Sequence, residues 1–305
     1  KNELGGSQIH AHGSGAVDNE VETEQEAFDT IRNFLSYLPQ SVWQPPPRIE
    51  SDDSVERRDE SLLSVIPRDR RQMYQIREVI HAIVDAESFF EINPGYGESL
   101  VVGLARLDGY AIGIMANDTC HHGGAVNASA SEKMMRFVDL CDTFHLPMLN
   151  FVDNPGFLIG SKAEEEGTVR LGSRALMACY QATIPWVSVI IRRCYGVAGA
   201  GHGNGDRLNL RYAWPSADWG SLPIEGGVQA AYRRDIEAAE DPDARRRELE
   251  DMLEQYRSPF RTAEAFGIEE VIDPRDTRPL LCDWVELAYE ITATQLGPKS
   301  RTPRP

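Results

Sequence analysis

Five cysteines, none in a CxxC pair, are all that the 305 residues contain. Cys120, Cys141, Cys179, Cys194 and Cys282 are scattered and odd in number, which argues against a disulfide framework and a zinc ribbon; they read as small buried hydrophobes in a reducing compartment. No apolar run approaches the roughly 20 residues that cross a bilayer. The body is therefore expected to be soluble, without a membrane partner, and cytoplasmic, or in the mitochondrial matrix of a eukaryote. Basic residues are scarce: 31 Lys and Arg stand against 48 Asp and Glu, a net charge of −17. That surface repels nucleic acid and anionic lipid, and an anionic substrate would need local Arg or Lys. An initiator Met and a signal-peptide pattern are missing too, so the chain reads as a fragment or processed portion of something longer.

The usual sequence marks of nucleophile and metal chemistry are also absent. No serine sits in GxSxG, so covalent catalysis on the protein is not expected. His10 and His12, and the adjacent His121 and His122, lack a third ligand at helical or hairpin spacing, so no metal site is expected. What is present is a sizeable core composition, 41% hydrophobic, enough for an enzyme-sized body.

Along the chain, apolar residues at helical spacing between Glu22 and Leu38 predict an amphipathic helix stopped by Pro39. Pro45, Pro46 and Pro47 open a mixed-charge stretch to about Arg71 that reads as an extended arm. A second helix is expected over Met73 to Ala86, then a hairpin around Asp108 and Gly109. A helix N-capped by Ser131 leads to a short apolar strand, Met148 to Val152. A further helix, Thr168 to Ala182, leads to a strand from Trp186 to Ile191. Asp235 to Tyr256 reads as one solvated, highly charged helix, and Pro279 to Leu296 as a final helix before a disordered basic tail. Strand, turn and helix in repetition imply parallel strands with helices outside, so chemistry is expected in the loops after strand ends.

Two such loops stand out. Tyr195-Gly196-Val197-Ala198-Gly199-Ala200-Gly201-His202 is almost entirely small, letting a ligand approach the backbone. Free N–H groups there could donate to an oxyanion. Strand, glycine turn and helix also describe a phosphate cradle or tight packing, although neither GxGxxG with its distant acid nor GxxxxGK[ST] is present. His202 could act as a general acid or donor, or be incidental. Asp153-Asn154-Pro155-Gly156-Phe157 is a second strand-end turn, either a ligand rest or a turn capped by Asp153.

The blocks ELGGSQIHAHGSG, FLSYLP, REVIHAIVDAESFFEINPGYGESLVVGLARLDGYAIGIMAND, RFVDLCDTFHLPMLNFVDNPGFLIG, YAWPSAD and SPFRTAEAFGIEEVIDPRDTR, in order over nearly the whole chain, resemble the C-terminal part of the carboxyltransferase β subunits of propionyl-CoA carboxylase-type enzymes. The resemblance implies a crotonase-like (ClpP/crotonase) ββα superhelix with parallel strands and outer helices. It implies that residues 1–40 are the tail of the acyl-CoA-binding N-terminal half, 41–71 a linker or arm, and 72–305 the biotin-binding C-terminal carboxyltransferase domain. It also implies carboxyl transfer from carboxybiotin to the α-carbon of an acyl-CoA, with the backbone of Val197 and Ala198, after Gly196, holding the ureido oxygen. Asp153, Asn154, Pro155, Gly156, Phe157, Gly199, Ala200 and His202 are then the expected substrate and biotin contacts. The implied partners are an acyl-CoA, a biotin carboxyl carrier bearing the cofactor, a biotin carboxylase, the N-terminal half, and further copies in a homo-oligomer.

Where relatives read close to YGGAYDVM, a Tyr and an Asp are replaced here by Gly199 and Ala200, from which a roomier acyl pocket is expected. The resemblance leaves two further readings open. One is a biotin-dependent acyl-CoA decarboxylase subunit; the other is a noncatalytic scaffolding homologue.

Overall fold

The computed structural model describes residues 2–201, 207–220, 224–254, 256–300 and 304. A short helix, α1 (Asn2–Gly5), precedes α2 (Glu24–Ser36). Thr23 and Glu26 close a capping box at the start of α2, each satisfying an N–H that a helix leaves orphaned. After α3 (Ile76–Ile83) and β1 (Phe90–Ile92), β2 (Leu100–Leu107) and β3 (Tyr110–Asn117) form the expected hairpin. Its turn residues Asp108 and Gly109 both have positive φ, 49° and 79°, as the twist of a two-residue hairpin demands.

The chain continues through α4 (Ala128–Thr143), β4 (Met148–Asn154), α5 (Ser161–Glu165), α6 (Thr168–Gln181), β5 (Trp186–Tyr195) and α7 (Gly196–Ala200). Then follow β6 (Asn209–Ala213), β7 (Asp218–Gly220), α8 (Ile224–Ala231), α9 (Arg233–Glu237), α10 (Pro242–Glu254), α11 (Pro259–Glu264), β8 (Glu270–Val271) and α12 (Thr277–Ala293). The strands make one sheet in the order β1-β2-β3-β4-β5-β6-β8, with β7 also paired to β5. β1, β2 and β3 are antiparallel neighbours, and every pairing from β3 onward is parallel.

Both faces of the sheet are covered, which is why β2, β4 and most of β5 are buried at successive residues rather than at alternate ones. On one face Val79, Ile80 and Ile83 of α3 and Leu281, Trp284 and Val285 of α12 pack on Val101, Ile112, Leu149 and Val187. On the other, Met134, Phe137 and Cys141 of α4 and Ala175, Ala178 and Cys179 of α6 pack on Leu100, Val102, Met148 and Trp186. Cys141, Cys179, Cys194 and Cys282 are buried and Cys120 half-buried, and none of them forms a disulfide. Among the described residues no helix is long and apolar enough to cross a membrane.

Four expectations change in detail. α4 is capped by Asn127, whose side chain accepts from the Ala130 N–H, while Ser131 lies inside the helix with its hydroxyl on the Asn127 carbonyl at 2.8 Å. The acidic stretch is two helices, because Pro242 opens α10 after α9 has ended, and Leu249 is buried beside Ile224, Val228 and Ile236. The basic tail is tied down where it is described, by Arg304 on Asp139 at 2.6 Å and Lys299 on Thr183 at 2.6 Å. The arm is not free either: Arg57 forks onto Asp53 at 2.7 and 2.9 Å and onto the carbonyls of Ala82 and Val84, and Leu62 is buried.

Candidate active site

β4 and β5 run side by side and end together, so the two turns singled out in the sequence meet at one edge of the molecule. After β4, the Asn154 side chain accepts the Gly156 N–H at 2.9 Å, a local Asx closure. Gly156 adopts φ 119°, a conformation L side chains rarely take, so Pro155 and Gly156 turn the chain sharply. The Phe157 ring packs on α6 so closely that a Cβ at Gly172 would meet it at 2.4 Å. Phe157 therefore offers its backbone to the turn and its ring to the core.

β5 does not pass straight into its turn. Val152 pairs with Ile190 and Asn154 with Cys194, so the single residue Asp153 faces three residues, Ile191, Arg192 and Arg193. This is a β-bulge, and beyond it β5 exchanges its neighbour β6 for β7. Gly196 then takes φ 61° and opens α7. The N–H groups of Gly196, Val197 and Ala198 lie in the first turn of that helix, where no intrahelical carbonyl exists for them. Val197 is 67% exposed, so this backbone is reachable from solvent, while Ala198 is buried.

The two turns touch: a Cβ at Gly199 would lie 3.5 Å from the Asn154 carbonyl oxygen, and one at Gly156 would lie 3.9 Å from that of Tyr195. Gly199 also faces β5, where a Cβ would meet the Cys194 carbonyl carbon at 2.7 Å. The missing side chain at Gly199 thus allows close backbone packing against Cys194. Ala200 is described by its backbone alone, and His202 lies outside the described residues.

Asp153 is fully buried. Its carboxylate accepts from Arg192 Nε at 2.9 Å, Arg193 Nε at 2.6 Å, the Arg193 N–H at 3.2 Å and the Tyr74 hydroxyl at 3.0 Å. The two guanidiniums continue outward, Arg192 to the Gln72 carbonyl at 2.9 Å and Arg193 to the Gly123 carbonyl at 2.6 Å. Burial and the neighbouring carboxylate push the Tyr74 hydroxyl well above its ordinary range, so it stays a neutral donor. Burial pushes the Cys194 thiol up to about 12, which denies the site a thiolate. Asp153, expected as a ligand contact, instead has its carboxylate committed to these four donors. Arg192, Arg193 and Tyr74 went unnoticed in the sequence; the available signal was a pair of cations at the end of an apolar strand, immediately before a glycine turn.

Beside the turns lies a cleft of about 730 Å³, lined by Tyr96, Glu98, His122, Asn127, Ser129 and the Leu158–Ala163 segment among others. It begins where the Asn154–Phe157 turn ends. Residues 196–198 do not line it; a gap of only about 20 Å³ lies under Ala198 and Gly199. Backbone donors in the first turn of α7, with small residues beneath, suit an oxygen that gains negative charge during reaction.

A mostly parallel α/β sheet covered by helices on both faces is the architecture of the crotonase-like fold. The chain belongs to the carboxyl transferase domain family, whose model matches residues 1–302. It is 41% identical over 281 residues, 90% of this chain and 54% of the relative, to the propionyl-CoA carboxylase carboxyltransferase subunit of Haloferax mediterranei. It is 34% identical over 278 residues, 91% of this chain and 53% of the relative, to the methylmalonyl-CoA decarboxylase subunit alpha of Veillonella parvula. The solved transcarboxylase 12S hexamer, with methylmalonyl-coenzyme A and methylmalonic acid bound, superposes with TM-score 0.87 at 33% identity, over 100% of this chain and 57% of that one. The chain thus spans about half the length of the curated relatives it matches.

Proposed function

We propose that this chain is the biotin-binding half of a carboxyltransferase that moves a carboxyl group between carboxybiotin and the α-carbon of an acyl-CoA. The observation that carries the reading is the first turn of α7, where Gly196, Val197 and Ala198 present N–H groups without intrahelical partners at the meeting point of two strand-end turns. The residues fit a biotin ureido group: the donors are N–H groups alone, the side chains are small, and Val197 leaves the approach open.

Bound carboxybiotin, delivered by a carrier domain, supplies the carboxyl group. The chain's own residues hold the ureido oxygen through Val197 and Ala198, after the left-handed Gly196. Asn154, Pro155 and Gly156 supply the adjoining backbone, and Ala200 follows the donor turn in α7. The Asp153 carboxylate accepts four hydrogen bonds, so it is not free to serve as a base. Proton movement then falls to the bound groups, with the chain's donors stabilising the charge.

The acyl-CoA site is completed by the N-terminal half, and the working enzyme assembles with a biotin carboxyl carrier, a biotin carboxylase and further copies of itself. The similarity to a decarboxylase subunit supports a second reading, the same chemistry run toward CO2 release.

The test is carboxyl transfer from malonyl-type CoA esters to free biocytin by the full-length or reconstituted assembly. Val197→Pro removes one first-turn donor of α7, a group with no intrahelical partner to lose, and transfer is expected to fall about 100-fold. Full activity in that variant, or no transfer by an intact wild-type assembly, overturns the reading.

A further inference from the structure

The oxyanion turn is connected to the sheet through the irregular stretch of β5, and Asp153 is the residue that faces it. Between the pairings Val152 with Ile190 and Asn154 with Cys194, β4 contributes one residue and β5 three. A bulge of that size leaves ladder donors unpaired and bends its strand, so something must fix how far it bends. The Asp153 carboxylate accepts from the main-chain N–H of Arg193, inside the bulge, and from the Nε atoms of both bulged arginines. Past the bulge, Arg193, Cys194 and Tyr195 pair with Asp218, Trp219 and Gly220, and Gly196 opens the donor turn directly after them.

The same cluster reaches the surrounding loops. Arg193 holds the Gly123 carbonyl, and Gly124 approaches the Asp153 carbonyl so closely that a Cβ would lie 2.7 Å from it. Arg192 holds the Gln72 carbonyl and lies over the Tyr74 ring at 5.1 Å, and the Tyr74 hydroxyl returns to Asp153. Side-chain exposure is 0% for Asp153, 4% for Arg192 and 19% for Arg193, so water competes weakly for these bonds. A carboxylate there compensates two buried cations; an amide of the same shape does not.

We infer that Asp153 is a positioning residue: its buried carboxylate clamps the three-residue bulge of β5 and so sets where the N–H groups of Val197 and Ala198 point. The inference deepens the reading of that turn as the oxyanion hole and rests on it. Asp153 touches no reacting atom in this scheme. Its effect passes from Arg193 through Cys194 and Tyr195 to Gly196.

The test compares wild type, Asp153→Asn, Arg193→Lys and Val197→Pro in the full-length or reconstituted assembly, by biocytin transfer kinetics and by hydrogen exchange of the amides of residues 194–198. Asp153→Asn is expected to lower kcat about 10- to 100-fold, since small displacements of catalytic groups cost that much, with KM for the acyl-CoA unchanged. Exchange at 194–198 is expected to quicken relative to the amides of β2 and β3. Arg193→Lys, which keeps the charge and the main-chain bond, is expected to lose kcat measurably, by about 2- to 10-fold. A purely structural role would instead lower the yield of folded enzyme while the folded fraction kept its kcat and its exchange pattern, and that result overturns the inference.

Should Asp153→Asn fail to assemble, Arg193→Lys decides: unchanged kcat and unchanged exchange overturn the inference. Loss of transfer in Val197→Pro with none in Asp153→Asn removes the clamp and keeps the oxyanion reading. No transfer by the wild type removes that reading, and the exchange comparison still judges whether Asp153 holds the turn.

Discussion

Lys133 shows how a single side chain can carry a pH dependence. It is 4% exposed on α4 and lines a cavity of about 230 Å³ together with Arg136 and Asn93. Burial pushes its amine down to about 8 from the ordinary 10.5, against the pull of Glu91, Glu98 and Asp118 and with the push of Arg77. Below about 8 both folded and unfolded chains hold the proton, and the full cost of burying the charge is present. Between about 8 and 10.5 the unfolded chain binds more protons than the folded one, so this group makes stability rise with pH. Lys133→Met is therefore expected to be more stable than wild type at pH 7, by on the order of a few kcal/mol. Its advantage should shrink toward pH 10. Denaturant unfolding of both proteins at several pH values checks it, and a constant gap would refute it.

At the scale of an element, α4 depends on a cap that lies outside its apolar pattern. Asn127 accepts from the Ala130 N–H at 2.9 Å and its carbonyl receives the Ser131 hydroxyl. Asn127→Ala should cost about 1 kcal/mol, read as a lower denaturant midpoint with an unchanged slope. The helical period begins to show at Ser131, which is why the sequence places the cap one turn late; an Asn preceded by Val126 carries no periodic signal of its own. β5 is the opposite case. Its apolar run ends at Ile191, but the strand continues four residues further, because Asp153 and β7 supply partners for Arg192 to Tyr195. Those partners come from distant stretches of chain, and no local pattern announces them.

Across the whole molecule, the sheet is closed on both faces by helices, while the proposed site lies at one edge, where β4 and β5 end. The strand-end rule for parallel sheets located both turns from sequence, and the structure places them in contact. The chain spans about half of its curated relatives. Residues 1–305 alone are therefore expected to transfer no carboxyl group to an acyl-CoA, and adding the N-terminal half of the enzyme is expected to restore transfer. A radiolabelled bicarbonate assay with carrier and biotin carboxylase present measures this, and activity of the chain alone would contradict the division of labour.

Apolar periodicity, the Asp108–Gly109 turn signal and the small-residue turns gave the hairpin, the main helices, the parallel strands β4 and β5 and the two turns after them. Each of those is a local property, written into neighbouring residues by sterics and burial. The ordered family blocks added the class of chemistry. The tertiary structure alone decided that Asp153 binds arginines, that the Phe157 ring faces α6, that Gly199 is small for packing against Cys194, and that β5 bulges before its donors. These outcomes depend on which groups from separate strands compete for one buried carboxylate or one gap. A sequence read along its length does not contain that competition; it exists only once the strands are side by side.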